Sequence, residues 1–296
     1  MSDALLDEVL ANPHSDAPRR VYADWLSERG DPRGEFIATQ CELARRFDFD
    51  LAVREHQLLH AHRRRWLAEL GLDYGTFVRG FIETLELSAS ELATVKLERM
   101  PLQRLIVTNA SDVKKLSAIP VVPSFGLRGA KLNDKAVRAL VATPVVAGTK
   151  RLAFHGGQIV DASGLVDACA EAVHFDAVKI RNLEVLAASA WMACVRELRI
   201  GIPCDYFLKS CNMPRLTSLT VDSVIMPSTF LALGRMPELE YLEVPIGEYD
   251  LPTFGFAKLK QLVIRGYTDG PVLAALRERW GERLTIVPAT TKRWHL

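Results

Sequence analysis

A pair of apolar residues separated by one other residue recurs ten times along this chain, at intervals of about 20 to 26 residues. The pairs are Leu85/Leu87, Leu105/Val107, Phe125/Leu127, Leu152/Phe154, Val178/Ile180, Leu198/Ile200, Leu219/Val221, Leu242/Val244, Leu262/Ile264 and Leu284/Ile286. Successive side chains of a strand point to opposite faces, so each pair reads as a short strand with two side chains on one buried face. A recurrence of this length means stacked units, none able to bury its apolar face alone. An N-terminal stretch without the pattern precedes them.

With 296 residues the chain accommodates a helical segment and a repeat array. A formal net charge of +1 gives no global attraction to nucleic acid or to an anionic membrane surface. No apolar run approaches the roughly 20 residues that span a bilayer. The N-terminus Met1-Ser2-Asp3-Ala4 is acidic and leads into an amphipathic pattern, so no signal peptide is expected. Five cysteines with no Cys-x-x-Cys spacing read as reduced thiols, mostly buried, in a cytoplasmic protein.

Residues 1–75 read as helical. Leu5, Leu6, Val9 and Leu10 share a helical face that Asn12-Pro13 ends; Asp16-Ala17-Pro18 opens a second helix with Val21, Tyr22, Trp25 and Leu26 inward. Gly30 suits the end of that helix. Asp31-Pro32 opens a third, carrying Phe36, Ile37, Leu43 and Phe47, and a fourth runs from about Leu51 to Leu70 with Leu58, Leu59, Trp66 and Leu67 inward.

The ordered run Leu5-Leu6 … Asp16-Ala17-Pro18-Arg19 … Tyr22-Ala23-Asp24-Trp25-Leu26 … Glu28-Arg29-Gly30-Asp31-Pro32-Arg33-Gly34-Glu35-Phe36-Ile37 resembles the bacterial repeat-companion domain, over roughly residues 3 to 45. Arg65-Trp66-Leu67 and Arg79-Gly80-Phe81-Ile82-Glu83 resemble that family's junction into its repeats. The resemblance implies a helical module ahead of leucine-rich-repeat-like units, and it supplies no catalytic residues.

Three units of residues 76–296 read Met-Pro, then Leu-x-x-Leu-x-Val: Met100 to Val107, Met213 to Val221 and Met236 to Val244, the second and third with one residue more after the proline. Proline ends the preceding helical piece because it lacks a donor and restricts its predecessor. Helix-like stretches fall at 134–142, 164–173 and 271–280. This strand–crossover–strand order resembles leucine-rich repeats. The expected fold class is therefore α/β: an N-terminal α-helical module followed by an irregular leucine-rich-repeat-like horseshoe solenoid with about ten short parallel strands. The consensus Asn after the strand is matched only near Asn109, Asn133 and Asn182, and Trp294 is a candidate terminal cap.

Several residues resemble chemical motifs. His56 and His60 lie four apart on the fourth helix, but Gln57 stands where a zinc protease has its glutamate, so no metal site is expected. Arg63-Arg64-Arg65 spreads around a helix and reads as a solvated face. Phosphate-binding loops and nucleophile elbows are absent. No cofactor and no catalytic residue is expected; an enzyme built on His155 near Arg151 and Arg181 lacks a nucleophile and a positioned carboxylate.

Residues flanking each buried pair face the concave side of a horseshoe. Read strand by strand, they give a basic band of Arg104, Arg128, Arg151, Lys179, Arg181 and Arg199, with His155 beside it, and acidic or mixed positions later, such as Asp222, Glu243 and Arg265. The expected function is a non-enzymatic protein–protein interaction or scaffold role, with an acidic segment of another protein bound on that face. Nucleic-acid or other polyanion binding by the same band is the alternative. It is disfavoured because no aromatics interleave the basic positions. No membrane partner is expected.

Overall fold

Helix boundaries in the first seventy residues fall at acceptor side chains. In the computed structural model, which describes residues 2–110, 113–245, 256–266 and 270–288, α1 (Ser2–Ala11), α2 (Asp16–Ser27), α3 (Pro32–Arg45) and α4 (Phe49–Glu69) follow one another. Trp294 lies outside the described residues. Asp31 caps α3 through the Arg33 amide at 2.9 Å, and Asp48 caps α4 through the Leu51 amide at 3.1 Å. The acceptor at the start of α2 is Ser15, with Asp16 in the first turn. Gly30 takes a φ of 69°, which an L side chain resists, after α2 ends.

Contacts divide the chain into two units, residues 1–107 with 118–123, and residues 108–117 with 124–296. The first unit holds a core of Leu6, Val9, Tyr22, Ala23, Leu26, Ile37, Cys41 and Phe81. Two residues expected inward are not: Val21 is 53% exposed and Phe47 is 81% exposed. The helices turn Arg19 and Ala23 inward instead of Val21, and α3 ends before Phe47. Gly34 carries no Cβ because α3 approaches the Ala23 carbonyl and Ser27 of α2 too closely for one.

After α4 comes a tight hairpin, β1 (Phe77–Val78) and β2 (Phe81–Ile82), antiparallel with Val78 opposite Phe81. Its two turn residues, Arg79 and Gly80, have φ of 48° and 85°, the mirror-image turn that matches strand twist. A Cβ on Gly80 would collide with Ile37. The hairpin is pinned by Arg19, which is fully buried. Arg19 donates to the carbonyls of Pro13 at 2.7 Å and Arg79 at 3.0 Å, and to Glu83 at 2.8 Å. Its guanidinium also lies 5.1 Å from the Phe81 ring centroid. Arg79 donates to the same Glu83 oxygen at 2.9 Å. The Asp16-Ala17-Pro18-Arg19 and Arg79-to-Glu83 runs therefore meet in space.

The recurrent pairs fall on short strands. β3 (Thr84–Ser88) and β4 (Arg104–Thr108) carry the first two. The second unit continues with β5 (Ser124–Arg128), β6 (Lys131–Leu132), β7 (Arg151–His155), β8 (Gln158–Ile159), β9 (Ala172–Asp176), β10 (Lys179–Ile180), β11 (Glu197–Gly201), β12 (Ser218–Val221), β13 (Tyr241–Pro245), β14 (Gln261–Arg265) and β15 (Leu284–Val287). Strands β5, β7, β9, β11, β12, β13, β14 and β15 pair in parallel in that sequence order. The leucines and valines of the three Met-Pro units are buried, as are the methionines. Predicted crossover helices at 134–142 and 271–280 are present as Asp134–Val141 and Gly270–Trp280.

One register is corrected. Val178/Ile180 was expected in the main sheet, yet β9 supplies that strand with Val173/Phe175, in register with Leu152/Phe154 and Leu198/Ile200. The expected helix over 164–173 is a short 3-10 turn, Ala162–Leu165, followed by the start of β9. Ile180 instead lies in β10, part of a second parallel sheet ordered β10-β8-β6. Val173/Phe175 and Val178/Ile180 have the same apolar-x-apolar form, so periodicity alone does not separate them.

The turn that links the two sheets repeats. Directly after β4, β5, β7 and β9 stand Asn109, Gly129, Gly156 and Ala177, with φ of 51°, 67°, 65° and 51°. The amides of the first three donate to the last carbonyl of the next strand, at 2.8 Å to Arg128, 2.8 Å to His155 and 2.7 Å to Asp176. After β5, β7 and β9 the left-handed residue at this point turns the chain out of the main sheet and into β6, β8 and β10. Asn109 is thus a turn residue, whereas Asn133 caps the following helix through the Ala136 amide at 2.9 Å.

Candidate functional site

Parallel strands in register place equivalent side chains roughly 4.8 Å apart, so one sheet face carries rows of side chains. On the face opposite the buried pairs, these rows form three ion-paired groups. In the first, Arg151 of β7 and Glu197 of β11 flank Ala172 of β9. The alanine leaves room for Arg151 Nη2 to reach Glu197 Oε2 at 2.7 Å. Glu197 Oε1 lies 3.0 Å from His174 Nε2. The His174 hydrogen bond, and then Arg151, hold the Glu197 carboxyl at about 2 against the opposing effect of burial.

The second group centres on Asp222, just past β12. Its Oδ1 contacts Arg265 Nη2 at 2.6 Å, and its Oδ2 lies 3.4 Å from Arg199 Nε. Arg265 Nη2 also donates to the Val221 carbonyl at 2.5 Å, and its Nε lies 3.0 Å from Glu243 Oε1. The other Glu243 oxygen accepts from the Tyr241 hydroxyl at 2.6 Å. In the third group, His155 Nδ1 lies 3.5 Å from Asp176 Oδ2, and Arg128 is the register neighbour of His155.

The predicted basic residues therefore separate. Arg128, Arg151, His155 and Arg199 lie on this one face of the second unit. Arg151 and Arg199 are half-buried in ion pairs and His155 is buried, so the band is interleaved with Asp176, Glu197, Asp222 and Glu243 rather than uniformly basic. Arg104 sits half-buried at the start of β4. Lys179 and Arg181 leave the band altogether, because β10 belongs to the second sheet. The register shift also concealed His174 and Asp176. A five-residue spacing back from the left-handed Ala177 to the strand start, matching that from Gly156 to Arg151, is the signal that finds them.

Charge on the face is graded. Strands β5 and β7 present Ser124, Gly126, Arg128, Arg151, Ala153 and His155, with no carboxylate of their own. Carboxylates begin at β9 and recur through β13. Cysteines depart from expectation: Cys41 and Cys204 are buried and Cys211 is half-buried, but Cys169 and Cys194 are exposed. Burial pushes the Cys41 and Cys204 thiols up to about 11 and Cys211 up to about 12.

Among the described residues no group of three or more His, Cys, Asp or Glu side chains is placed to hold a metal ion, and His56 and His60 are both exposed on α4. Among the described residues no helix is long and apolar enough to cross a membrane. No protein-family model matches the chain, and a search of curated proteins finds no match.

Proposed function

We propose that this is a non-enzymatic interaction protein, cytoplasmic and scaffold-like, in which a repeat-companion-type helical module precedes leucine-rich-repeat-like units. The units bind an acidic segment of another protein on the face of the parallel sheet opposite the buried pairs. The observation that carries this reading is the grading of charge on that face. Arg128 and Arg151 stand on adjacent strands that bring no carboxylate, on a backbone fixed by its ladder. Side chains held by ion pairs on a rigid sheet are oriented before a partner arrives, which favours specificity and encounter rate. A partner carboxylate competes with Glu197 for Arg151 and gains Arg128 beside it.

The test is a photo-crosslinking residue at Ala153, between these arginines, in the full chain in its native cell. The expected adduct is a protein crosslinked through an acidic segment, lost in an Arg128→Glu/Arg151→Glu variant that retains its circular dichroism spectrum. A nuclease-sensitive adduct would support polyanion binding instead. Adducts unchanged by the charge reversal would overturn the reading.

A further inference from the structure

The second sheet ends early, and its last strand keeps an open edge. Its three strands are dipeptides placed just past the left-handed turns: Lys131–Leu132, Gln158–Ile159 and Lys179–Ile180. The next repeat departs from the scheme. Pro203 brings no amide, and a helix begins at Asp205, Asp205–Ser210. Among the described residues no fourth strand forms beside β10, and a cleft of about 670 Å³ lies there, between Ile180 and Ile202.

Backbone direction along β10 follows from its hydrogen bonds. The Lys179 amide donates to Gly157 at 3.0 Å and the Arg181 amide to Ile159 at 3.3 Å, while the Arg181 carbonyl accepts from Ala162 at 3.0 Å. In a parallel ladder the intervening residue turns its amide and carbonyl the other way, so those of Ile180 point into the cleft. Side chains alternate too. Lys179 and Arg181 are exposed on one face of the strand, and Ile180 is half-buried on the other. Among the described residues neither Lys179 nor Arg181 has a carboxylate partner. Glu184 is the one carboxylate among the residues lining the cleft.

We infer that this cleft is a strand-addition site for an extended acidic segment of a protein partner, which pairs with the free edge of β10 and places alternate carboxylates beside Lys179 and Arg181. The inference rests on the proposed acidic protein partner and gives it a second, distinct landing place. Three features select this occupant. The open backbone edge requires an extended chain. The two unpaired cations require negative charge at every second residue. The intervening residues face Ile180 and Ile202, which favours apolar side chains there. A second copy of the same edge is excluded by repulsion between its cations, the usual protection of a short edge strand.

The probe is a fluorescein-labelled octapeptide of alternating Val and Glu, titrated by anisotropy against the full chain. It is compared with the same peptide N-methylated at alternate amides. The variants are Lys179→Glu/Arg181→Glu, Ile202→Trp (which fills the cleft without changing charge) and Arg128→Glu/Arg151→Glu on the main sheet, each checked by circular dichroism. Binding at least tenfold weaker in the first two variants and for the N-methylated peptide, and unchanged in the third, is the expected result. Binding lost only in Arg128→Glu/Arg151→Glu overturns the cleft site and leaves the main-sheet reading standing. Equal loss in both charge reversals, indifference to N-methylation, or no binding to the unaltered protein also overturns the cleft site. The main-sheet reading is judged separately by the Ala153 crosslink.

Discussion

Arg19 donates to Glu83 at 2.8 Å across 64 residues of chain, and this pair joins the second helix to the end of the Phe77–Ile82 hairpin. A fully buried guanidinium is tolerated when most of its donors are matched, and here the carbonyls of Pro13, Val78 and Arg79 and the Glu83 carboxylate accept from its two terminal nitrogens, while its Nε donates to none of the described residues. Removing the arginine leaves both the Glu83 carboxylate and the Pro13 carbonyl with Arg79 alone.

Arg19→Met is therefore expected to destabilise the first unit by about 3–5 kcal/mol, the usual cost of breaking a buried ion pair from one side. Glu83→Gln keeps an acceptor and should cost less. Arg19→Lys should rescue poorly, because a point-charge ammonium cannot reach carbonyl and carboxylate with separate, fixed nitrogens. Urea unfolding followed by tryptophan fluorescence, with Trp25 and Trp66 in this unit, measures all three. A wild-type midpoint for Arg19→Met would sink the argument.

The parts of the fold readable from sequence are those where one physical signal dominates. The start of the third helix is marked by Asp31 beside Pro32, and the main strands by buried pairs such as Leu219/Val221. Periodicity does not discriminate where two segments share one signal. Val173/Phe175 lies in β9 of the main sheet, whereas of Val178/Ile180 only Ile180 is in a strand, β10 of the second sheet, so Lys179 and Arg181 do not share the face of Arg128 and Arg151. The basic band itself was only half visible. Composition along a strand shows which side chains face outward. It does not show that Arg151 reaches across Ala172 to Glu197, two strands away.

The repeated left-handed turn makes a separate prediction. Ala177 holds the conformation that Gly129 and Gly156 hold in the preceding repeats, at a φ of 51°. An L side chain there costs about 1–2 kcal/mol, partly offset by the greater unfolded-state freedom of glycine. Ala177→Gly is expected to stabilise the protein by about 0.5–1 kcal/mol, read as a raised thermal midpoint. Gly157→Ala should do the reverse, because its Cβ would collide with the Ala130 backbone. A preference for glycine over alanine at both positions is the reverse of what secondary-structure propensity gives.

Thiol reactivity should divide the five cysteines. Cys169 and Cys194 are exposed, whereas Cys41, Cys204 and Cys211 are held as neutral thiols by burial, at about 11, 11 and 12. The thiolate is the reactive form. Treating native protein with a maleimide at pH 7.5 and weighing it intact should give two rapid additions. Peptide mapping should place both on Cys169 and Cys194. A third rapid addition would mean that one of the buried thiols opens to solvent on the labelling timescale.

Acid sensitivity should trace to Glu197. Its carboxyl is held at about 2, against a reference value of 4.5, first by the His174 hydrogen bond and then by Arg151. A carboxyl whose value is lower in the folded state than in the unfolded chain stabilises the fold above the unfolded value, because the unfolded chain binds the proton more readily. The contribution is fully present above about pH 4.5 and is lost as the pH falls through about 2. Glu197→Gln removes this dependence. The stability gap between wild type and the variant should therefore be larger at pH 5 than at pH 2 and shrink steadily between pH 4.5 and 2, in urea titrations across that range. Because Glu197 and Arg151 are only partly buried, 0.5 M salt should narrow the gap at pH 6 as well. A gap that is independent of pH would show that Glu197 contributes packing alone, and the Arg151–Glu197–His174 group would then be no more than a solvated surface.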